Sequence, residues 1–303
     1  MSLTEEHVLR LAKKHGLSLK KDTLKNNDSG LDFQVVIATD MDDQDWVLRL
    51  PRRKDVQSKL QNENNILKVV NSQVLFEVPI WTICTDELIA YKKLDGVPTA
   101  TIDHQIMNYR WILDKDNIPS TFYETLATVL SSLHQIPHEL ASKEGIYVET
   151  PTQLRGGWEK RMDTVREHFK VNEHLWDRWQ RWLSDDKYWP SQTGFIHGDI
   201  HPGHILIHDK AKVTGLIDWT EAKVSDTSHD FAAHYLIFGE QSLKELVRCY
   251  EKQGGFVWSQ MVEHIQELTM TNAVRVGEFA MESGLEKYHT MAANLLYSEP
   301  NER

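Results

Sequence analysis

The chain has 303 residues, enough for two lobes of ordinary domain size, and its 40% hydrophobic and 26% charged residues are the balance of a globular protein. Lys and Arg number 34 against 45 Asp and Glu, a formal net charge of −11, and only Arg49 to Lys54 forms a basic run; this excludes nucleic acid as the expected partner and suits a cationic small molecule. No apolar run approaches the about 18 residues of a membrane span, the N-terminus lacks a signal-peptide core, and Cys84 and Cys249 show no pairing pattern. The expectation is a cytoplasmic protein with reduced thiols and no membrane partner, in which nothing demands more than a monomer.

In chain order, Thr4 to His15 carries Val8, Leu11 and Ala12 at helical spacing, with Gly16 where a C-cap belongs. The period then changes. Phe33 to Ala38 and Trp46 to Leu50 are short β-branched and aromatic runs around the polar turn Asp40 to Asp45, a hairpin signal. A helix from about Asp55 to Val70 sets Val56, Leu60, Glu63, Ile66 and Leu67 largely along one side. Strand-like runs follow at Val74 to Cys84, interrupted by Pro79, and at Leu88 to Leu94. These elements predict a small lobe over residues 1–93, built on an antiparallel sheet, with a hinge near 90–94. Residues 94–303 are mostly helical: 123–133, 154–169, 173–183, 229–238, 241–253, 258–283 and 284–296, around one loop–strand unit at 195–218. The predicted class is α+β, two lobes with a cleft between them.

That loop–strand unit carries the chemistry. FIHGDIHPGHILIH (Phe195 to His208) sets Asp199 in a Gly- and Pro-flanked turn between apolar runs; His204 follows five residues on, and Asp218 ends the next apolar run, GLIDW. Protein kinases use this order of parts: a loop Asp that accepts the hydroxyl proton, then two metal ligands. Gly198 and His204 replace the basic residue and the Asn of that pattern, which points to kinases of small molecules. Asp199 is thus the candidate base, and His204 with Asp218 the candidate Mg²⁺ ligands, although Mg²⁺ prefers oxygen donors. His197 reads as a brace of the loop. A zinc site is the competing reading of His197, His201, His204 and His208, but it lacks a recognisable ligand spacing and leaves Asp218 unexplained.

A nucleotide needs three further parts in the small lobe. Asp28-Ser29-Gly30-Leu31-Asp32-Phe33 precedes a strand, so Ser29 and Gly30 could close over phosphates or simply form a turn. Arg49, in WVLR, is the candidate strand cation, and Glu63 the helix acid to hold it. The backbone at Ala90 and Tyr91 is expected to meet the purine edge. Asp226 and Asp230 look structural, one capping the helix near His229 and tying it to the catalytic loop; a substrate contact from Asp230 is the alternative.

Over almost its whole length the sequence resembles the aminoglycoside-phosphotransferase-like kinases, and among them the macrolide phosphotransferases, in GLDFQVVIATD (30–40), WVLRLPRR (46–53), IHGDIHPGHILI (196–207) and GLIDWTEA (215–222). His204 is part of that likeness. The resemblance implies transfer of a nucleotide γ-phosphate to the hydroxyl beside the dimethylamino group of desosamine. It also implies Mg²⁺ and, in this branch, GTP in preference to ATP. Another small alcohol, an aminoglycoside or a choline-like metabolite, is the alternative acceptor. A binding protein without catalysis should lack a catalytic part, and none is missing. A macrolide is large, mostly apolar and singly cationic, so its pocket should be wide with few acids. The C-terminal helices offer Tyr235, Asn272 and Glu278 as candidate contacts, though helical spacing gives every bundle such aromatic stripes.

Overall fold

The computed structural model describes residues 3–27, 32–53, 57–103 and 108–297. Helix α1 (Glu5–Lys14) starts where the Thr4 hydroxyl accepts the His7 N–H, and it places acids in its first turn and lysines in its last, matching the helix dipole. Strands β1 (Lys25–Asn27), β2 (Phe33–Thr39) and β3 (Asp45–Pro51) precede α2 (Gln57–Asn71), and β4 (Trp81–Cys84) and β5 (Ile89–Lys92) follow it. They form one antiparallel sheet in the order β1-β2-β3-β5-β4. The β2–β3 turn is organised by Asp40, whose carboxylate accepts the N–H groups of Asp42 and Gln44 and the Trp46 indole N–H at 2.7 Å. Val8, Leu11 and Ala12 of α1 pack with Val36, Ala38, Leu48 and Leu50 on one face of the sheet. Each such burial contributes about 1.5–3 kcal/mol for a large apolar side chain.

The chain then crosses through β6 (Val97–Pro98) to a hairpin of β7 (Ala100–Asp103) and β8 (Asn108–Trp111), and on to α3 (Ser120–His134), α4 (His138–Lys143), α5 (Pro151–His168) and α6 (Glu173–Ser184). Next come β9 (Gly194–Ile196), β10 (Ile205–His208), β11 (Lys212–Leu216) and β12 (Lys223–Ser225). The chain closes with α7 (His229–Lys252), α8 (Met261–Met270), α9 (Asn272–Ser283) and α10 (Glu286–Tyr297). Helix α7 breaks at Gly239, whose φ of 79° is open to glycine, so the two helices expected there are one kinked element. The main core joins α3 and α7 (Leu130, Leu133, Phe231, Leu246) to the strands beneath the catalytic loop (Ile205, Leu216, Trp219). A second, tryptophan-rich core joins α5 and α6 to α9 and α10 through Trp158, Trp179, Trp182 and Val274.

The expected strand from 74 to 84 is shorter than its pattern. Only Trp81–Cys84 pairs in the sheet, because the preceding segment crosses to β11: the Glu77 N–H donates to Thr214 O at 2.8 Å, and the Leu216 N–H donates to Glu77 O at 3.1 Å. Gly215 makes room for this, since a Cβ there would lie 2.5 Å from the Glu77 carbonyl oxygen.

One buried imidazole ties stability to pH. His234 of α7 is 5% exposed, lies against Tyr123 and Phe238 and bonds the Ser242 hydroxyl, and burial pushes its pKa down to about 4. Its unfolded value is about 6.5, so below that pH the unfolded chain takes up the proton first. The contribution of this group, about 3 kcal/mol, should be intact above pH 6.5 and lost progressively toward pH 4. Urea unfolding of wild type and His234→Gln at pH 7.5 and 5 checks this: the stability gap between the two proteins should change with pH.

Candidate active site

The loop between β9 and β10 presents Asp199, with its side chain 50% exposed, at the base of the cleft. Gly198 takes φ 83°, and a Cβ there would come within 2.6 Å of the Glu221 carbonyl oxygen, so only glycine lets the loop turn against that segment. The loop is held from below by Asp230 of α7. This fully buried carboxylate accepts the backbone N–H of His197 at 2.9 Å and of Gly198 at 2.8 Å, and bonds His134 Nε2 at 3.1 Å. His134 is held in turn by the Tyr250 hydroxyl at 2.8 Å. Burial opposes the Asp230 charge, but His134, His197 and these N–H donors outweigh it and hold its pKa below the usual range. The alternative reading of Asp230 as a substrate contact is therefore corrected: it has no exposed surface, and both its oxygens position the loop. Asp226 accepts the Ser228 N–H at 2.9 Å and bonds His264 at 2.7 Å, a structural role at the head of α7.

His197 is buried and spans the loop. Its Nε2 donates to Ile217 O at 3.1 Å, and its Nδ1 accepts the Asp199 N–H at 3.3 Å. His204 Nδ1 donates to the Asp199 backbone carbonyl at 2.9 Å, which leaves the Nε2 lone pair free, 3.7 Å from Asp218 Oδ2. Orientation of an imidazole by a backbone carbonyl is the usual outer support of a metal-binding histidine, so His204 Nε2 and the Asp218 carboxylate fit one divalent cation. Asp218 sits at φ 67°, a region an aspartate tolerates better than most side chains. Thr220 Oγ1 donates to its Oδ1 at 2.9 Å. Burial raises the Asp218 pKa, yet Arg49 first and then His204 more than offset this and keep it ionised.

Ligand-capable atoms of Asp199, His201 and His204 also lie within 4.8 Å of one another. His201 Nδ1 accepts the Gly203 N–H at 3.1 Å, which places the proton of the neutral ring on Nε2; joining a metal set would mean giving up that bond. His204 with Asp218 is thus the better-prepared pair.

Above the loop, Arg49 of β3 and Glu63 of α2 form a buried ion pair, 7% and 1% exposed. Phe33 covers the guanidinium at 4.2 Å. Burial works against the Arg49 charge, but Glu63 and Asp218 outweigh it and hold its pKa up. Burial also pushes the Glu63 carboxyl up against the pull of Arg49. After Glu63, Asp218 is thus the carboxylate whose charge Arg49 feels most. Ser29 and Gly30, with Asp28, Leu31 and Val56, lie outside the described residues. Ala90 and Tyr91 do not offer their backbone as expected. They lie inside β5 between β3 and β4, paired with Leu48 and Val47 on one side and Ile83 and Trp81 on the other. Peptide groups of a central strand are committed to the ladder, which leaves none there for a ligand. The buried Tyr91 side chain packs with Phe33 and Leu60.

On the other side of the loop, a cleft of about 830 Å³ runs from Gly198 and Glu221 between α5, α9 and α10. Asn272 and Glu278 line it. Glu278 is not a free acid, since Arg161 clamps both its oxygens at 2.7 and 2.6 Å. Tyr235, half-buried against the α3–α7 core, is not part of this lining. The positioning role of His134 escaped the sequence reading because its partner is 96 residues away.

A family model described as "Phosphotransferase enzyme family" matches residues 23–264. The chain belongs to this family. It is an enzyme of the phosphotransferase class that acts on a hydroxyl, and its fold is the two-lobed protein-kinase-like α+β fold. Among curated proteins it is 39% identical over 289 residues to the uncharacterized protein YcbJ of Bacillus subtilis (strain 168), covering 95% of this chain and 94% of that one. Among solved structures it is similar to a macrolide 2'-phosphotransferase type I (38% identity, 99% of this chain and 100% of that one, TM-score 0.88). It is also similar to the macrolide 2'-phosphotransferase MphH from Brachybacterium faecium (34% identity, 98% and 100%, TM-score 0.90). Aminoglycoside phosphotransferases at 18% identity share the fold (TM-score 0.72, 96% of this chain and of that one). No helix among the described residues is long and apolar enough to cross a membrane.

Proposed function

We propose that this phosphotransferase inactivates macrolide antibiotics by moving the γ-phosphate of GTP, with ATP the lesser donor, to the 2'-hydroxyl of their desosamine sugar. The observation that carries the reading is similarity along essentially the entire chain to two macrolide 2'-phosphotransferases, at 38% and 34% identity. The geometry supports it: the half-exposed Asp199 directly follows Gly198, which lines an 830 Å³ cleft.

In this reading the acceptor hydroxyl gives its proton to the Asp199 carboxylate as its oxygen attacks the γ-phosphorus. The bond to the bridging oxygen breaks, and nucleoside diphosphate leaves. Arg49, oriented by Glu63, neutralises phosphate charge, and His197 and Asp230 keep the base in place. His204 and Asp218 would hold Mg²⁺, which would supply charge neutralisation at the phosphates. Because Ala90 and Tyr91 are committed to the sheet, guanine is met by the backbone after Lys92. The cleft also fits the acceptor. Two of its acids are already paired, Glu278 with Arg161 and Glu149 with Lys223 at 3.6 Å, which suits a singly charged amine better than a polycation.

The test is nucleotide turnover with Mg²⁺, GTP and ATP in parallel, with and without erythromycin. Macrolide-stimulated turnover, larger with GTP, is expected. Phosphate appearing only on an aminoglycoside or choline would discard the macrolide and keep the kinase.

A further inference from the structure

We infer that Glu221 is a specificity-determining residue of the acceptor site, the carboxylate that receives the protonated amine beside the hydroxyl being phosphorylated; this rests on the macrolide reading above. The strand register places it there. β9 and β12 pair Lys223 with Ile196, and two further steps along this antiparallel register set Glu221 opposite Gly198. The two segments do touch at that point, since a Cβ on Gly198 would lie 3.2 Å from the Glu221 Cβ and 2.6 Å from its carbonyl oxygen. Glu221 thereby begins against the residue that precedes Asp199. The turn that carries it is closed by the Ala222 N–H donating to Trp219 O at 3.2 Å, and its exposed side chain lines the cleft together with Gly198.

The other charges of the cleft sort themselves around it. Glu278 is clamped by Arg161, and Glu149 accepts the Ser225 hydroxyl at 2.6 Å and faces Lys223. Arg275 and Glu282, of opposite sign, lie out on α9. Among the described residues Glu221 has neither an ion pair nor a hydrogen bond of its side chain. It is therefore the available acid at the end of the cleft where the reacting hydroxyl has to sit. In desosamine the tertiary amine is on the carbon next to that hydroxyl. An ammonium bonded to a carboxylate at this position fixes which hydroxyl faces Asp199; of the acids on α9, Glu278 is clamped and Glu282 lies at the helix's C-terminal end. A single cation beside the acceptor oxygen is the chemistry this end of the cleft selects.

Glu221→Gln keeps shape and exposure and removes the charge. Its KM for erythromycin should rise about 10- to 100-fold, with kcat changing far less and the KM for GTP unchanged. An erythromycin analogue lacking the dimethylamino group should cost the wild type a similar factor and the variant almost nothing further, the signature of a direct pair. Glu221→Asp should recover part of the loss. Equal KM values for variant and wild type, or fully additive effects of variant and analogue, overturn the assignment of Glu221 and leave the macrolide reading standing. A wild-type enzyme that phosphorylates no macrolide overturns both.

Discussion

Asp199→Asn is expected to lower kcat by about 10²- to 10⁴-fold, the range for loss of a positioned general base. The substitution is nearly isosteric and falls on a half-exposed side chain, so folding should be unaffected. What changes is proton affinity, since a neutral amide oxygen cannot take the hydroxyl proton as phosphorus–oxygen bonding begins. Nucleotide affinity should stay near that of the wild type, because the Arg49–Glu63 pair and the His204–Asp218 pair keep their own partners. The His204 ring should also keep its orientation, since Nδ1 bonds the Asp199 backbone carbonyl rather than depending on the side chain. Single-turnover rates alongside calorimetric GTP binding decide the matter; a variant within tenfold of wild type in kcat means that the base has been wrongly assigned.

Glu63→Met is expected to destabilise the protein by about 3–5 kcal/mol, because it strands the Arg49 charge in a site only 7% exposed. The double variant Arg49→Met/Glu63→Met should regain much of this loss, since a buried ion pair contributes little net stability against apolar side chains that fill its volume. Activity should not return with it. In the proposed mechanism the pair serves the chemistry, since among its charged neighbours Arg49 does most to keep Asp218 ionised. Urea melts of the two variants, with kcat measured on each, separate these effects. A double variant as unstable as the single one would show that lost packing, and not stranded charge, is responsible.

How much of this was legible in the sequence follows from how local the signals were. The loop from His197 to His204 between two strands, and the turn after the next strand that carries Asp218, were readable because they depend on spacing along one chain segment. The β2–β3 hairpin was readable because a polar turn separates two apolar runs, and Asp40 does organise it. Asp230 was harder. The head of the helix suggested a structural acid tied to the catalytic loop, and Asp230 does accept two backbone N–H groups of that loop, but they are more than 30 residues away and no spacing rule says which of Asp226 and Asp230 makes the tie. Ala90 and Tyr91 failed for another reason: an apolar run shows that a strand exists, but not whether a neighbour covers it on both sides. Residues 258–283 look like one helix in periodicity, yet they break at Thr271, whose hydroxyl turns back to Leu268 O at 2.6 Å. Glu278 looked like a free acid because the arginine that claims it is 117 residues away.

The crossing of Glu77 to β11 bears on how the two halves are held together. Pro98 and Val97 pair with Leu206 and Ile207, the Glu77 backbone pairs with Thr214 and Leu216, and the Glu77 carboxylate accepts the Asp95 N–H at 2.6 Å, which joins the two crossings into one knot. Asp218 is three residues past Gly215, so the segment leading from α2 back into the sheet is fastened close to it, while β1, at the far edge of the sheet, is remote from this fastening. The position of Asp218 is therefore set by both halves of the chain at once, through backbone pairs that no side-chain substitution removes.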